Sequence, residues 1–250
     1  MRDAVVKDLI VEAHERSRGT YGPRRLQTEL AARGEQVGRD RIGRLRKELG
    51  LKCIQHKRFR ATTNSRHDLP VAKNLLDRNF DVKEPHPRVD HRPDVHRHDE
   101  GWLYLARVKD LATQEIVGYA MGSRMTTELV QQALQKALAF RSPREGCIHH
   151  SDRGSQYCAH DYRGDVERAG MKVSMSRKGN CYDNAPTESF WGHLKQELIY
   201  QRRFGTRIEA QAAIREYIEI FYNRMRRHSA LGNLAPSVFA ERYHSARRIA

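Results

Sequence analysis

The stretch His149-His150-Ser151-Asp152-Arg153-Gly154-Ser155-Gln156-Tyr157 decides how the rest of the chain is read. An apolar, β-prone run gives way here to a polar loop carrying a glycine, so a strand is predicted to end near Asp152. A carboxylate at a strand end is held rigidly and stays open to solvent, as a catalytic or metal-ligating acid requires. Standing alone, it reads equally well as a loop or capping aspartate. Working outward, a short helix to Gly170, a strand around Val173 to Met175 and long helices from Ala185 and Arg207 follow. Upstream, Trp102 to Val108 and Ile116 to Met121 read as two antiparallel strands turning at Asp110 to Thr113. A helix over Thr126 to Phe140 comes next, with Leu129, Val130, Ala133, Leu134, Ala137 and Leu138 facing a core. Strands followed by interleaved helices and strands argue α/β layering, with helices packed on a mixed sheet.

A second informative stretch runs from Arg177 to Lys195, R-K-G-N-C-Y-D-N-A-P-T-E-S-F-W-G-H-L-K. Asn184 can cap a helix, Pro186 suits its first turn, and Glu188 in that turn meets the favourable end of the helix dipole. Phe190, Trp191, Leu194 and Leu198 mark the buried face. Lys195 falls two turns after Glu188, roughly 10 Å along the axis on the same side. A metal-binding acid and a phosphate-binding lysine on one helix face suit a DNA strand laid across it. Mg²⁺ is held by few carboxylates plus waters and substrate phosphate, and two such ions support in-line phosphoryl transfer. Arg153, Gln156, Arg177 and Lys178, which flank the acids, are candidate DNA contacts.

The first sixty residues read as helices. Val5, Leu9, Ile10 and Ala13 form one apolar face; Leu26, Leu30 and Ala31 form another after Tyr21-Gly22-Pro23; and Ile42, Leu45 and Leu49 form a third, closed by Gly50. These are the dimensions of a helix-turn-helix module. Arg41, Arg44, Arg46, Lys47, Lys52, Lys57, Arg58 and Arg60 face a single acid, Glu48, over that segment. So one-sided a run favours a phosphate-contacting surface over a solvated mixed-charge face, with Arg41, Arg44 and Lys47 its central residues. Residues 1–61 are thus read as a DNA-binding domain, 62–84 as a polar linker and 85–245 as the core.

Composition agrees. The net charge of +15 points to a polyanionic partner, duplex DNA first. No stretch approaches the 18 apolar residues of a membrane span and no signal-peptide core is present, so a cytoplasmic protein is expected. Cys53, Cys147, Cys158 and Cys181 are too scattered for a disulfide framework or zinc ribbon, and His91, His96 and His98 lack the cysteines a His/Cys zinc site would need.

Asp152 and Glu188 are separated by 35 residues, within H-H-S-D-R-G-S-Q-Y and N-C-Y-D-N-A-P-x-E-S-F-W-G-x-L-K-x-E. This pattern resembles the catalytic polypeptide of insertion-sequence-three family transposases. The likeness continues through F-Y-N-R-M-R-R-H-S-A-L-G-N-L-A-P (Phe221 to Pro236) and S-R-G-T-Y-G-P-R-R-L (Ser17 to Leu26), so nearly the whole chain is covered. The resemblance implies a ribonuclease-H-like, retroviral-integrase-like core behind a small all-α helix-turn-helix-like domain. It implies cleavage of element ends to free a 3′-hydroxyl, and attack by that hydroxyl on target DNA. It also implies Mg²⁺ or Mn²⁺, a homo-oligomer assembled on DNA, and an upstream overlapping reading frame as a possible partner. Asp152 matches the second acid, Glu188 the third, and Lys195 the lysine expected at the element's end.

The first acid is where the resemblance breaks. The family pattern V-W-T-T-D-L-T-Y-I-x-T-D-E-G-W-L-Y-L resumes only at Asp99-Glu100-Gly101-Trp102. Before it stands Val89-Asp90-His91-Arg92-Pro93-Asp94-Val95-His96-Arg97-His98, too polar for a buried central strand and broken by a proline. Read from the second base of the Asp90 codon, this stretch can encode Thr-Thr-Asp-Leu-Thr-Tyr-Ile-Ala at every position. A compensated frameshift is therefore expected, with the lost aspartate straddling the codons of Arg92 and Pro93. Asp94 is the nearest candidate replacement ligand, and Asp90 is a second. A non-catalytic DNA-binding protein occupying element ends, and a metal-dependent nuclease acting on RNA or hybrid duplex, remain as alternatives. The nuclease accounts for neither the basic N-terminal module nor Lys195.

Overall fold

The computed structural model describes residues 2–54, 70–75, 89–91, 94–177 and 185–249, leaving the side chains of 89–91, 94–98, 185–188 and 247–249 outside the description. At the N-terminus, α1 (Arg2–Arg16), α2 (Pro23–Ala31) and α3 (Arg39–Glu48) pack around Val6, Ile10, Leu26, Leu30, Ile42 and Leu45. Pro23 opens α2, where a missing N–H costs nothing. Past α3, Gly50 takes φ +66° and lets Leu51 N bond back to Arg46 O at 3.0 Å. The inward stripe of α1 differs from expectation at one position: Val6 is buried and Val5 is 54% exposed. Val6, Ile10 and Ala13 follow helical spacing more closely than a stripe beginning at Val5.

The core is built on one mixed sheet of β1 (Val89–His91), β2 (Asp94–His98), β3 (Gly101–Asp110), β4 (Ile116–Gly122), β5 (Ile148–Ser151) and β6 (Lys172–Met175). β4 pairs antiparallel with one edge of β3, while β1 and β2 pair antiparallel with the other. β5 then adds parallel to β1, and β6 parallel to β5. Asp110 Oδ1 accepts from Ala112 N at 2.8 Å and organises the β3–β4 turn.

The expectation that residues 89–98 cannot enter the sheet centrally is corrected at the level of the backbone. β1 is hydrogen-bonded on both sides, to β3 and to β5. Val89 pairs with Asp110, Asp94 with Leu105 and His98 with Gly101, so β1 and β2 keep one register along β3. Register is carried by main-chain groups and by the hydrophobic pattern of the partner, and the apolar run of β3 supplies that pattern. The central piece is only three residues long, whereas β2 has β3 as its one sheet neighbour among the described residues.

On one face of the sheet lie α4 (Thr127–Phe140), α5 (Ser155–Cys158) and α6 (His160–Arg168), closing an apolar core with Val108, Ala120, Val130, Leu134, Tyr157 and Met175. Thr126 caps α4 by accepting from Leu129 N. The other face carries α7 (Ala185–Glu197) and α8 (Arg207–Glu216), the latter continuing as π-helical turns over Tyr217–Met225. A last helix, α9, spans Pro236–Ile249. Of the stretch read as linker, residues 62–69 and 76–84 lie outside the described residues. Residues 70–75 run beside β6, with Met175 N bonded to Lys73 O and Leu75 N to Ser174 Oγ at 2.9 Å. No helix among the described residues is long and apolar enough to cross a membrane.

Candidate active site and nucleic-acid interface

Asp152 follows directly on β5 and is 6% exposed. Its Oδ1 accepts the Gly154 N–H at 2.9 Å, which closes a tight turn and fixes the carboxylate at the strand mouth. Arg153 turns away and donates from Nε to Ser176 O at 2.7 Å, tying the loop to the end of β6. Gln156, half-buried, sits in α5. Alternation along β5 sends His149 and His150 to opposite faces. His149 meets Tyr162 OH of α6 at 2.8 Å, and burial pushes its pKa down to about 3. His150 reaches Ser174 Oγ at 2.9 Å, on the same side as Asp152.

α7 packs against β1, the strand beside β5, and so brings the second acidic stretch to the same region of the sheet. Glu188 lies in its first turn; its side chain is outside the description. Lys195 is half-buried in the last turn. Phe190, Trp191, Leu194 and Leu198 are all buried, as their spacing predicts.

Sequence reading missed the charges beneath α7. Arg107 and Lys109 on β3 are 0% and 1% exposed, and the Arg107 guanidinium stacks over Phe190 at 4.8 Å and Trp191 at 5.2 Å. At the far end of the helix, Glu197 accepts from Arg226 Nε at 2.9 Å and from Tyr217 OH at 2.7 Å. Burial beside Arg226 lowers the pKa of His193 and His228, so both rings stay neutral. The available signal was the pair of basic residues inside the apolar run Trp102 to Asp110, where alternation alone would place aliphatic side chains.

The register of β1 bears on whether these residues fit a metal centre. His91 pairs with Ser151, the residue before Asp152. In the sequence His91 is followed by Arg92 and Pro93, so no acid comes next on the strand that neighbours Asp152. Asp94 pairs with Leu105, three residues along β3 from the level of His91 and roughly 10 Å away. Among the described residues no three His, Cys, Asp or Glu side chains are grouped to hold a metal ion. The side chains of Asp90, Asp94 and Glu188 lie outside that set.

On the N-terminal module, Arg41 and Arg44 both reach Asp3, with Arg44 NH2 at 3.1 Å from its Oδ2, and Arg44 also meets Glu48 at 3.0 Å. Lys47 and Lys52 are exposed. Arg46 points inward at 8% exposure against Cys53 Sγ, so it leaves the basic face that the sequence suggested. Arg177 is exposed after β6, while Lys178, Lys57, Arg58 and Arg60 lie outside the described residues.

The HTH-like domain family matches residues 1–59, and two integrase core domain families match residues 94–181 and 169–236. The chain is 60% identical over 242 residues to the insertion element IS600 uncharacterized 31 kDa protein of Shigella sonnei, covering 97% of this chain and 89% of that protein. It is 40% identical over 231 residues to transposase InsF for insertion sequence IS3A of Escherichia coli (strain K12), covering 92% and 80%. Among solved structures, the simian T-cell lymphotropic virus intasome in complex with PP2A regulatory subunit B56 gamma superposes with TM-score 0.52 at 13% identity, over 92% of this chain and 73% of that one. The trimeric form of the HTLV-2 integrase catalytic core domain in complex with magnesium gives 0.50 at 10% identity, over 63% and 97%.

Proposed function

This chain belongs to the insertion-sequence-three family of transposases, and from that premise we propose that it is a DNA-binding member whose strand-cleaving chemistry has been lost through a compensated frameshift over residues 90–98. The observation that carries this reading is the register of β1. It brings His91 level with Ser151, and the next residues are Arg92 and Pro93 where the partner of Asp152 should be an acid. Asp152 and Glu188 are then the second and third acids of the site. Asp94, roughly two strand positions too far along, does not replace the first. Without the shared first carboxylate, the repulsion between two Mg²⁺ or Mn²⁺ ions is not offset. Duplex DNA is held by Arg41, Arg44 and Lys47 on the module and by Arg153, Gln156, Arg177, Lys178 and Lys195 around the acids. In this reading residues 1–61 form the DNA-binding domain, 62–84 the linker and 85–245 the core, acting as a cytoplasmic homo-oligomer on element ends with or without the upstream-frame product.

Incubation of the chain with duplexes bearing the element ends tests this. Retained binding with no strand cleavage in Mg²⁺ or Mn²⁺ is expected. Replacing residues 90–98 by Thr-Thr-Asp-Leu-Thr-Tyr-Ile-Ala-Thr keeps the residue count, hence the strand register, and should bring cleavage back. Efficient cleavage by the unaltered chain would refute the frameshift, and a restored chain that binds but does not cut would place the defect elsewhere.

A further inference from the structure

Two stretches that the acids do not explain, Ser17 to Leu26 and Phe221 to Pro236, meet in space. Tyr21 OH accepts from Arg227 N at 2.7 Å, and Arg227 Nε donates to Glu29 Oε2 at 2.6 Å. Arg18 pairs with Glu216 and lies over the Phe221 ring at 4.8 Å. These contacts seat the N-terminal module on the π-helical end of the core. Between them they enclose a polar cleft of about 170 Å³, with Arg16, Ser17, Tyr21, Glu29, Arg224 and Arg227 in its walls.

We propose that this cleft is a binding site for a backbone phosphate of duplex DNA, gripped between Arg16 of the module and Arg224 of the core. Three guanidiniums face one carboxylate, and that carboxylate, Glu29, is already engaged by Arg227 at 2.6 Å and Arg33 at 3.7 Å. Arg224 is exposed and has no ion-pair or hydrogen-bond partner among the described residues; Arg16 has only the exposed Glu12, at 3.7 Å. The excess is therefore positive, and guanidinium groups suit phosphate oxygens. The volume takes a tetrahedral anion with bridging water, given about 30 Å³ per water. The wide turns that present Arg224, with Arg226 N bonded to Phe221 O at 2.7 Å, are of a rare kind that recurs at functional sites.

Geometry links the cleft to the basic face of the module. Arg41 and Arg44 stand at the Asp3 end of α1 and Arg16 at the other end. Those ends are roughly 20 Å apart, about six base pairs of duplex. A single DNA segment running along α1 can therefore touch both, with its path crossing from module to core at the cleft.

The inference rests on the reading that the chain binds duplex DNA, and the test separates the two. Affinity for duplex DNA is measured between 50 and 200 mM salt (about the range over which phosphate contacts dominate) for the full chain and for Arg16→Ala/Arg224→Ala. Both side chains lie outside the buried cores, so the variant should fold. The slope of log affinity against log salt should shrink by about one, and Arg224→Lys, which keeps the charge, should hold its share. An unchanged slope in the double variant, with a flattened one in Arg41→Ala/Arg44→Ala/Lys47→Ala, would remove the cleft and leave the DNA-binding reading standing. A chain with no salt-dependent affinity for duplex DNA would remove both.

Discussion

The two faces of the central sheet solve the same packing problem with different chemistry. Toward α4 and α6 the layer is aliphatic and aromatic, and β4 comes so close that a Cβ on Gly118 would lie 2.4 Å from Ala133 O and 2.5 Å from Ala137 N. Toward α7 and α8 the layer holds Leu103, Leu105, Phe190 and Trp191, but also four charged residues, Arg107, Lys109, Arg226 and Glu197, each of those four at most 4% exposed. Burying a charge is costly unless it is paired and hydrogen-bonded, so the second face depends on specific partners where the first depends on shape. α7, the helix of Glu188 and Lys195, packs on this same face.

Breaking a partner on the charged face should have the largest effect. Glu197→Ala leaves the Arg226 guanidinium buried and unpaired and should cost about 3 to 5 kcal/mol, read as a lower midpoint in urea unfolding. A loss no greater than that of an exposed carboxylate would show that the pair is not structural. On the apolar face, Gly118→Ala would drive its Cβ into the backbone of α4, so neither side can yield without moving α4 off β4. Overpacking of this kind costs about 1 to 3 kcal/mol, and an unperturbed melting curve would mean the faces are less different than described.

A third effect, shared by both faces, is read by pH. His149 on one side and His193 and His228 on the other are held neutral by burial, with folded pKa values below the ordinary value of 6.5. As pH falls below 6.5 the unfolded chain gains protons that the folded chain does not, so stability should decline from there, for His149 down to about pH 3. Urea midpoints at pH 7 and pH 5 (about the window above most carboxylate titration) should differ, and equal midpoints would contradict neutral buried rings. The smallest effect belongs outside the sheet. Lys47→Ala should leave stability within about 0.5 kcal/mol while lowering the salt slope of DNA binding by about one. A stability change without a slope change would reassign Lys47 to structure.

The apolar face was legible residue by residue, because Val130, Ala133, Leu134 and Ala137 repeat at helical spacing and β3 and β4 flank a turn that Asp110 can close. Asp152 was legible for a similar reason, a strand pattern stopping at a glycine-bearing loop. The charged face was not. Pattern reading assigns a strand residue to core or solvent by its polarity, and Arg107 and Lys109 are polar and buried. Periodicity was also blind to β1, where neighbours supply the register that the side chains do not advertise. The docking of Tyr21 on Arg227 has no local signature at all, since its partners come from opposite ends of the chain.

That docking makes α1 a lever. Its fulcrum is the Tyr21–Arg227 contact near its C-terminal end, and its tip carries Asp3 with the Arg41 and Arg44 forks. A rotation of about 10° at the fulcrum would swing a tip about 20 Å away by about 3.5 Å, close to the roughly 3.4 Å rise per base pair along the duplex axis. A small rotation at the seat of the module would therefore displace the Asp3 end of α1 by about one base-pair rise.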